Sequence, residues 1–238
     1  MNDKLKKIET LEYDYFKKID FDLSQDLQKM IDGLNSKDKI KDDWKEFFNR
    51  IDKKKQNSDF SRGAERIYYW LFSQFGKPNS SPIGADMFFE THNAFVHIDI
   101  KTAKFDNESD YKGKVPLGDN QTSYSGEGYE VHLPTFYSKN KPSEKICLTY
   151  IINIVYEYNK SDDIVILAIL LIAIPNGELK TIYGNGIIGR SKNKGQAFRY
   201  EYKKNPKFEL LTEKPYRVKF LFLDRRISQE KITGFRME

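Results

Sequence analysis

The chain reads as an α/β (α+β) protein, with a helical N-terminal region followed by a central mixed β-sheet flanked by helices. Three observations predict this. Apolar residues recur at helical spacing from Leu5 to Ile51, and after Pro78 the period changes from about 3.6 residues to about 2. Two long β-branched runs, Ile146 to Tyr156 and Ile164 to Ile174, are then apolar on both faces, as strands at the centre of a covered sheet must be.

In order along the chain, Leu5, Ile8, Leu11, Tyr15 and Ile19, then Leu27, Met30, Ile31 and Leu34, then Ile40, Trp44, Phe47 and Ile51 predict three short helices, with Ser24 and Ser36 as N-caps. The stretch from Asp52 to Asp59 offers nothing to a core. A boundary is expected there, dividing a helical N-terminal subdomain (1–57) from a core domain (58–238). A further helix from Ser61 carries Glu65, Ile67, Trp70, Leu71 and Phe75 and ends at Gly76, with Pro78 just beyond. Met87 to Glu90 and Ala94 to Lys101 alternate around Thr91-His92-Asn93, the pattern of a hairpin. The two long runs follow, separated by residues 159–163. Short strands are expected at Leu179 to Tyr183, Ala197 to Tyr202 and Arg217 to Leu223, and no internal repeat is visible.

Composition removes several function classes. Seventeen Phe and 15 Tyr in 238 residues supply far more burial than a disordered chain carries. One cysteine, Cys147, forms no internal disulfide, and with three scattered histidines it makes no thiolate zinc site. The start, Met1 to Lys7, is too polar for a signal peptide, and Ile164 to Pro175 falls short of the ~20 residues that span a bilayer. A cytoplasmic protein without a membrane partner is expected. The net charge of +5 is unevenly spread: Lys180 to Lys219 holds eleven basic and three acidic residues, a local +8 that leaves −3 for the remainder. Such a segment suits a polyanion, although lysines guarding a solvated strand edge would give the same count.

The chemistry centres on His97-Ile98-Asp99-Ile100-Lys101. Residues two apart share a strand face, so His97, Asp99 and Lys101 project together while Ile98 and Ile100 face the core. Asp86 opens the partner strand. Two carboxylates and a lysine can hold a divalent metal, position a water and neutralise a phosphate under attack. An acidic residue two before a lysine occurs six times in the chain, so context separates Asp99/Lys101 from the rest: a core strand and an acidic residue on the strand before it. Glu178/Lys180 is the nearest competitor, but Pro175-Asn176-Gly177 breaks the strand that would present it.

The segment Pro82-Ile83-Gly84-Ala85-Asp86, twelve residues, and then Asp99-Ile100-Lys101 resembles the PD-(D/E)xK motif of type II restriction endonucleases, with Ala85 where the motif has proline before the acid. The resemblance covers about residues 61–125 and implies a PD-(D/E)xK nuclease-like core. It implies Mg2+ held by Asp86, Asp99 and the backbone carbonyl of Ile100, with Lys101 orienting or activating the attacking water. Glu65 would add an upstream acidic ligand, with Glu90 as its substitute. Asn120-Gln121-Thr122-Ser123-Tyr124 is similar to polar loops that approach DNA in such enzymes. His97 is read as a satisfied strand histidine outside the catalytic set.

Gly184-Asn185-Gly186-Ile187-Ile188-Gly189 fits GxGxxG, yet the residues after it make a poor helix start, so a glycine-rich loop is expected rather than a dinucleotide site. Arg190, Lys192, Asn193, Lys194, Gln196 and Arg199 beside it carry donors for phosphates and base edges, whereas Tyr183, Tyr200 and Tyr202 are read as strand packing. The expectation is a sequence-specific, Mg2+-dependent endonuclease that cuts double-stranded DNA at a palindromic site as a homodimer, with the N-terminal helices as the candidate dimer contact. Two alternatives stay open: a structure-guided repair or recombination nuclease, and a non-catalytic nucleic-acid-binding module.

Overall fold

Two helices open the chain, α1 (Asn2–Gln25) and α2 (Leu27–Asn35). This is a computed structural model, and it describes residues 2–25, 27–35, 64, 87–126, 128–138, 144–161, 163–190 and 198–237. Leu5, Ile8, Phe16, Ile19 and Leu23 form the buried stripe of α1, and Glu9 and Glu12 are buried within it. Leu11 and Tyr15, expected at the centre of that stripe, lie half-buried at its margin. Ser24 is not an N-cap, because α1 runs through it to Gln25. Ser36, the expected helix at 40–51 and, apart from Ala64, the expected helix from Ser61 lie outside the described residues.

The strands are β1 (Met87–Glu90), β2 (Ala94–Lys104), β3 (Val115–Leu117), β4 (Phe136–Tyr137), β5 (Lys145–Tyr158), β6 (Ile164–Ile174), β7 (Ile188–Arg190), β8 (Phe198–Tyr200) and β9 (Val218–Leu223). The main sheet has the order β1-β2-β5-β6-β9, with β4 also on β5. It is mixed, as the sequence predicts. β2 and β5 run parallel from Ala94↔Ile146 to Lys104↔Tyr156, while the β1–β2, β4–β5, β5–β6 and β6–β9 pairs are antiparallel. The two β-branched runs occupy β5 and β6, and nearly every residue in them is buried.

Leu179 to Tyr183 is not a strand. A 3-10 turn (Gly177–Leu179) leads into a one-turn helix, α3 (Lys180–Tyr183). The cause is Asn176, whose side chain accepts from the Glu178 N–H and donates to the Thr135 and Cys147 carbonyls, so the chain leaves β6 in a fixed turn. Leu179 and Tyr183, four residues apart, then bury on one helical side. Gly184, at φ +67, ends the helix, and a 3-10 turn (Asn185–Ile187) leads into β7, which contains Gly189, while residues 191–197 after the motif lie outside the described residues.

β7 and β8 join β3 in a three-stranded sheet of order β3-β8-β7, absent from the sequence reading, as is the short helix α4 (Gln229–Thr233) near the C-terminus. Among the described residues no helix is long and apolar enough to cross a membrane.

Arg217 ties the N-terminal helix to the sheet. Its guanidinium is fully buried, 2.6 Å from Glu12 Oε2 and 3.2 Å from Glu9 Oε1, and its Nε donates to the Tyr183 hydroxyl at 2.7 Å. The rings of Phe208 and Tyr183 flank it. Glu9 also accepts from the Leu210 and Glu209 amides, and Glu12 from the Asn176 amide. Burial raises the Glu12 carboxyl above its ordinary range, an effect that the neighbouring arginine opposes.

Candidate active site

The hairpin is held at its turn by Thr91, whose hydroxyl bonds both the carbonyl and the amide of Ala94. Its register sets Phe88 opposite His97 and Met87 opposite Ile98. The alternation along β2 sorts its side chains as expected. Val96, Ile98 and Ile100 share a face with Leu148, Tyr150 and Ile152, and the Tyr150 hydroxyl donates to the Glu12 carbonyl, so this is the face that α1 covers. Phe95, His97, Asp99 and Lys101 lie on the other face. There the Phe88 ring stacks on Phe95 at 5.2 Å and sits 4.7 Å from His97.

Asp99 is 1% exposed, and Lys101 Nζ stands 3.5 Å from its Oδ2. An exposed surface pair is therefore not what the chain builds. A carboxylate at this depth is costly to keep ionised unless cations stand beside it. A carboxylate and a main-chain carbonyl are hard oxygen donors, the kind Mg2+ prefers, so this end of the site fits such an ion. The set is incomplete as described: Asp86 and Glu65 lie outside the described residues, and no group of three His, Cys, Asp or Glu able to hold a metal occurs among the described residues. Glu90 belongs elsewhere, since it pairs with Lys145 at 2.9 Å and stands opposite Phe95, roughly 13 Å along the strand from Asp99 at ~3.3 Å per residue.

His97 is not the satisfied strand histidine that was expected. It is 1% exposed, neither ring nitrogen has a hydrogen-bond partner among the described residues, and burial lowers its pKa to about 4. The sequence reading also passed over Asn153. It is fully buried opposite Lys101 in the parallel ladder, and neither atom of its amide has a hydrogen-bond partner among the described residues. Its signal was available: one amide inside the run Ile151-Ile152-Asn153-Ile154-Val155.

Of the expected DNA loop, Thr122, Ser123 and Tyr124 are buried and hold the fold. Thr122 Oγ1 accepts from the Tyr124 amide, Ser123 Oγ from the Gly177 amide, and the Tyr124 hydroxyl donates to the Gly184 carbonyl at 2.6 Å. A Cβ at Gly177 would stand 2.2 Å from the Ser123 carbonyl oxygen, which fixes that contact. Gln121 accepts from the Gly118 amide. Asn120 remains at the surface, its Oδ1 3.1 Å from His132 Nδ1.

Arg199 is 9% exposed and donates to the Ser109 carbonyl and to Asp110, both at 2.7 Å, so it is engaged inside the protein. The +8 segment is accordingly not one open basic surface. Besides Arg199 and the buried Arg217, Lys204 pairs with Glu201, Lys214 with Glu209 and Lys219 with Asp20. Lys192, Asn193, Lys194 and Gln196 lie outside the described residues, as does the side chain of Arg190. Tyr183, Tyr200 and Tyr202 are buried, but only Tyr200 is on a strand: Tyr183 ends α3 with its hydroxyl bonded to Glu9 and Arg217, and Tyr202 lies beyond β8.

Two family models match the chain, the N-terminal domain of the type II restriction enzyme MwoI over residues 4–161 and its central domain over residues 166–223. No curated protein matches by sequence. Among solved structures, the restriction endonuclease BglI bound to its DNA recognition sequence superposes with a TM-score of 0.66 at 16% identity, covering 92% of this chain and 93% of that one. The tetrameric restriction endonuclease SfiI bound to cognate DNA gives 0.65 at 13% identity, covering 91% and 84%. At these identities the two structures speak for the fold, which is that of restriction endonucleases. The N-terminal model alone spans more than half of the chain, and by that match the chain belongs to the MwoI family of type II restriction enzymes.

Proposed function

We propose that this type II restriction enzyme cuts both strands of a palindromic DNA site by Mg2+-dependent hydrolysis, at a centre formed by Asp86, Asp99, the Ile100 carbonyl and Lys101, with Glu65 as the outer acidic residue. The observation that carries the reading is Asp99, buried on a core strand with the Lys101 ammonium 3.5 Å away. The described ladder ends at Met87↔Ile98, and in the sequence Asp86 directly precedes Met87.

When bound, Mg2+ would supply positive charge for the phosphate oxygens and lower the pKa of a water. Lys101 acts from a buried strand paired on both sides: it holds a water or a phosphate oxygen by a charge-assisted hydrogen bond and offsets the negative charge that grows as the water attacks. Asp99 fixes the ammonium and the oxygen ligand beside it. Asn120 at the surface, with Arg190, Lys192, Asn193, Lys194 and Gln196, contacts DNA. Thr122, Ser123, Tyr124 and Arg199, engaged within the fold, support that surface rather than touch the bases.

Two active sites related by the dyad of the DNA require two copies of the chain. A homodimer acting in the cytoplasm, with contact through the N-terminal region 1–57, is the arrangement we favour over higher assemblies. The test is digestion of phage-length DNA with Mg2+ or with EDTA, followed by end sequencing and sedimentation of the free enzyme. Discrete Mg2+-dependent bands with palindromic ends are expected. A smear would indicate a nuclease guided by shape, and intact DNA with a salt-sensitive gel shift would leave only a binding module.

A further inference from the structure

Asn153 sits in the middle of β5, a strand buried over most of its length, with Ile151, Ile152, Ile154 and Val155 around it at 0% exposure. Nothing about folding asks for an amide there. An amide buried without hydrogen bonds is destabilising, and an apolar side chain of the same volume would avoid that cost. Its place in the register is the informative fact. Asn153 is the partner of Lys101 in the parallel ladder, so the two side chains leave the sheet on one face from strands ~4.8 Å apart. The Lys101 ammonium is 3.5 Å from the Asp99 carboxylate, too far for a strong hydrogen bond, and among the described residues it has donors to spare.

We infer that Asn153 is a positioning residue for the cleavage reaction: its side-chain oxygen accepts from the Lys101 ammonium and holds it toward the scissile phosphate once Asp99 is drawn to other partners. The inference rests on the reading of Asp99 and Lys101 given above. It explains why a strand otherwise selected for burial keeps an amide at this one position: the cost is borne by the free enzyme and offset when the site is assembled on DNA.

The experiment uses the full chain and the variants Asn153→Leu, Asn153→Thr and Asp99→Ala. Each is measured by urea unfolding, by binding to a cognate duplex in Ca2+, and by single-turnover cleavage in Mg2+. Asn153→Leu is expected to unfold at the same or higher urea concentration, to bind the duplex as the parent does, and to cut at least ~10-fold more slowly, the scale of losing a group that orients another. Asn153→Thr keeps an oxygen acceptor in a β-branched side chain, so it should lose less. If Asn153→Leu does not fold, the same comparison is made with Asn153→Val. Cleavage at the parental rate by the folded apolar variant, or equal losses for the threonine and apolar variants, would overturn the inference while Asp99→Ala stays inactive. An active Asp99→Ala would instead overturn the reading of the site beneath it.

Discussion

The two faces of the central sheet bury polar groups in opposite ways. On the α1 face, Arg217 meets Glu9, Glu12 and Tyr183, and the carboxylates also collect backbone amides from residues 176, 209 and 210. On the other face, Asp99 and Lys101 stand between His97 and Asn153, which have no hydrogen-bond partner among the described residues. The first set is densely paired, with Arg217 Nη1 alone in it lacking a partner among the described residues, and it clamps the N-terminal helix to segments 164 to 208 positions along the chain. In the second, the histidine and the amide keep no such partner among the described residues. Burial of charge alone therefore does not mark a site; a carboxylate–lysine pair flanked by two buried polar side chains that hold nothing in the fold does.

The largest effect that would sharpen this contrast is catalytic. Asp99→Ala and Lys101→Ala should each lower single-turnover cleavage by ~10³-fold or more with little change in stability, because each removes a group acting on the reacting phosphate. The reverse pattern is expected opposite. Arg217→Met leaves two carboxylates buried without their cation and should cost about 3–5 kcal/mol in urea unfolding, and adding Glu9→Gln and Glu12→Gln should recover part of it. Equal stability losses on both faces would break the comparison.

The histidine gives a pH test of the Asp99 face. Its pKa in the folded chain is about 4, against 6.5 when exposed, so between these values the unfolded chain binds the extra proton. The stability that His97 contributes is complete above about 6.5 and is lost as pH falls toward 4, on the order of 3 kcal/mol at ~1.4 kcal/mol per unit. Urea titrations at pH 7 and pH 4.5 should show a smaller fall for His97→Leu than for the parent chain.

A smaller effect separates support from contact in the polar loop. Tyr124→Phe should cost about 1 kcal/mol of stability through the lost bond to Gly184 and leave DNA affinity alone, whereas Asn120→Ala should weaken DNA binding without destabilising the chain. The smallest signal is chemical. Cys147 is 1% exposed with its thiol pushed up to about 12, so it should stay unlabelled by a thiol reagent until the chain unfolds.

What the sequence made legible follows from range. The β1–β2 hairpin, β5 and β6 were readable because their periodicity and turn residues are local, and the facing of His97, Asp99 and Lys101 follows from alternation alone. The acidic members of the α1 stripe were not. Glu9 and Glu12 look like solvent residues until Arg217 is folded against them, and the same pairing removes Arg217 from the supposed basic surface. Arg199 was misread for the same reason, since Asp110 neutralises it from 89 positions away. α3 was hidden because β-propensity in Leu179 to Tyr183 yields to the turn set by Asn176. Asn153 was legible but unread. A single amide in an apolar run matters only once the register sets it beside a lysine.

The most direct test of the account is the stability and activity of one conservative variant, Asp99→Asn, which keeps the shape of the side chain and removes its charge. The account predicts a chain at least as resistant to urea as the parent that no longer cuts phage-length DNA in Mg2+. A variant that cuts normally, or one that loses activity only because it has lost about 3 kcal/mol of stability or more, as expected on the Arg217 face, would contradict it.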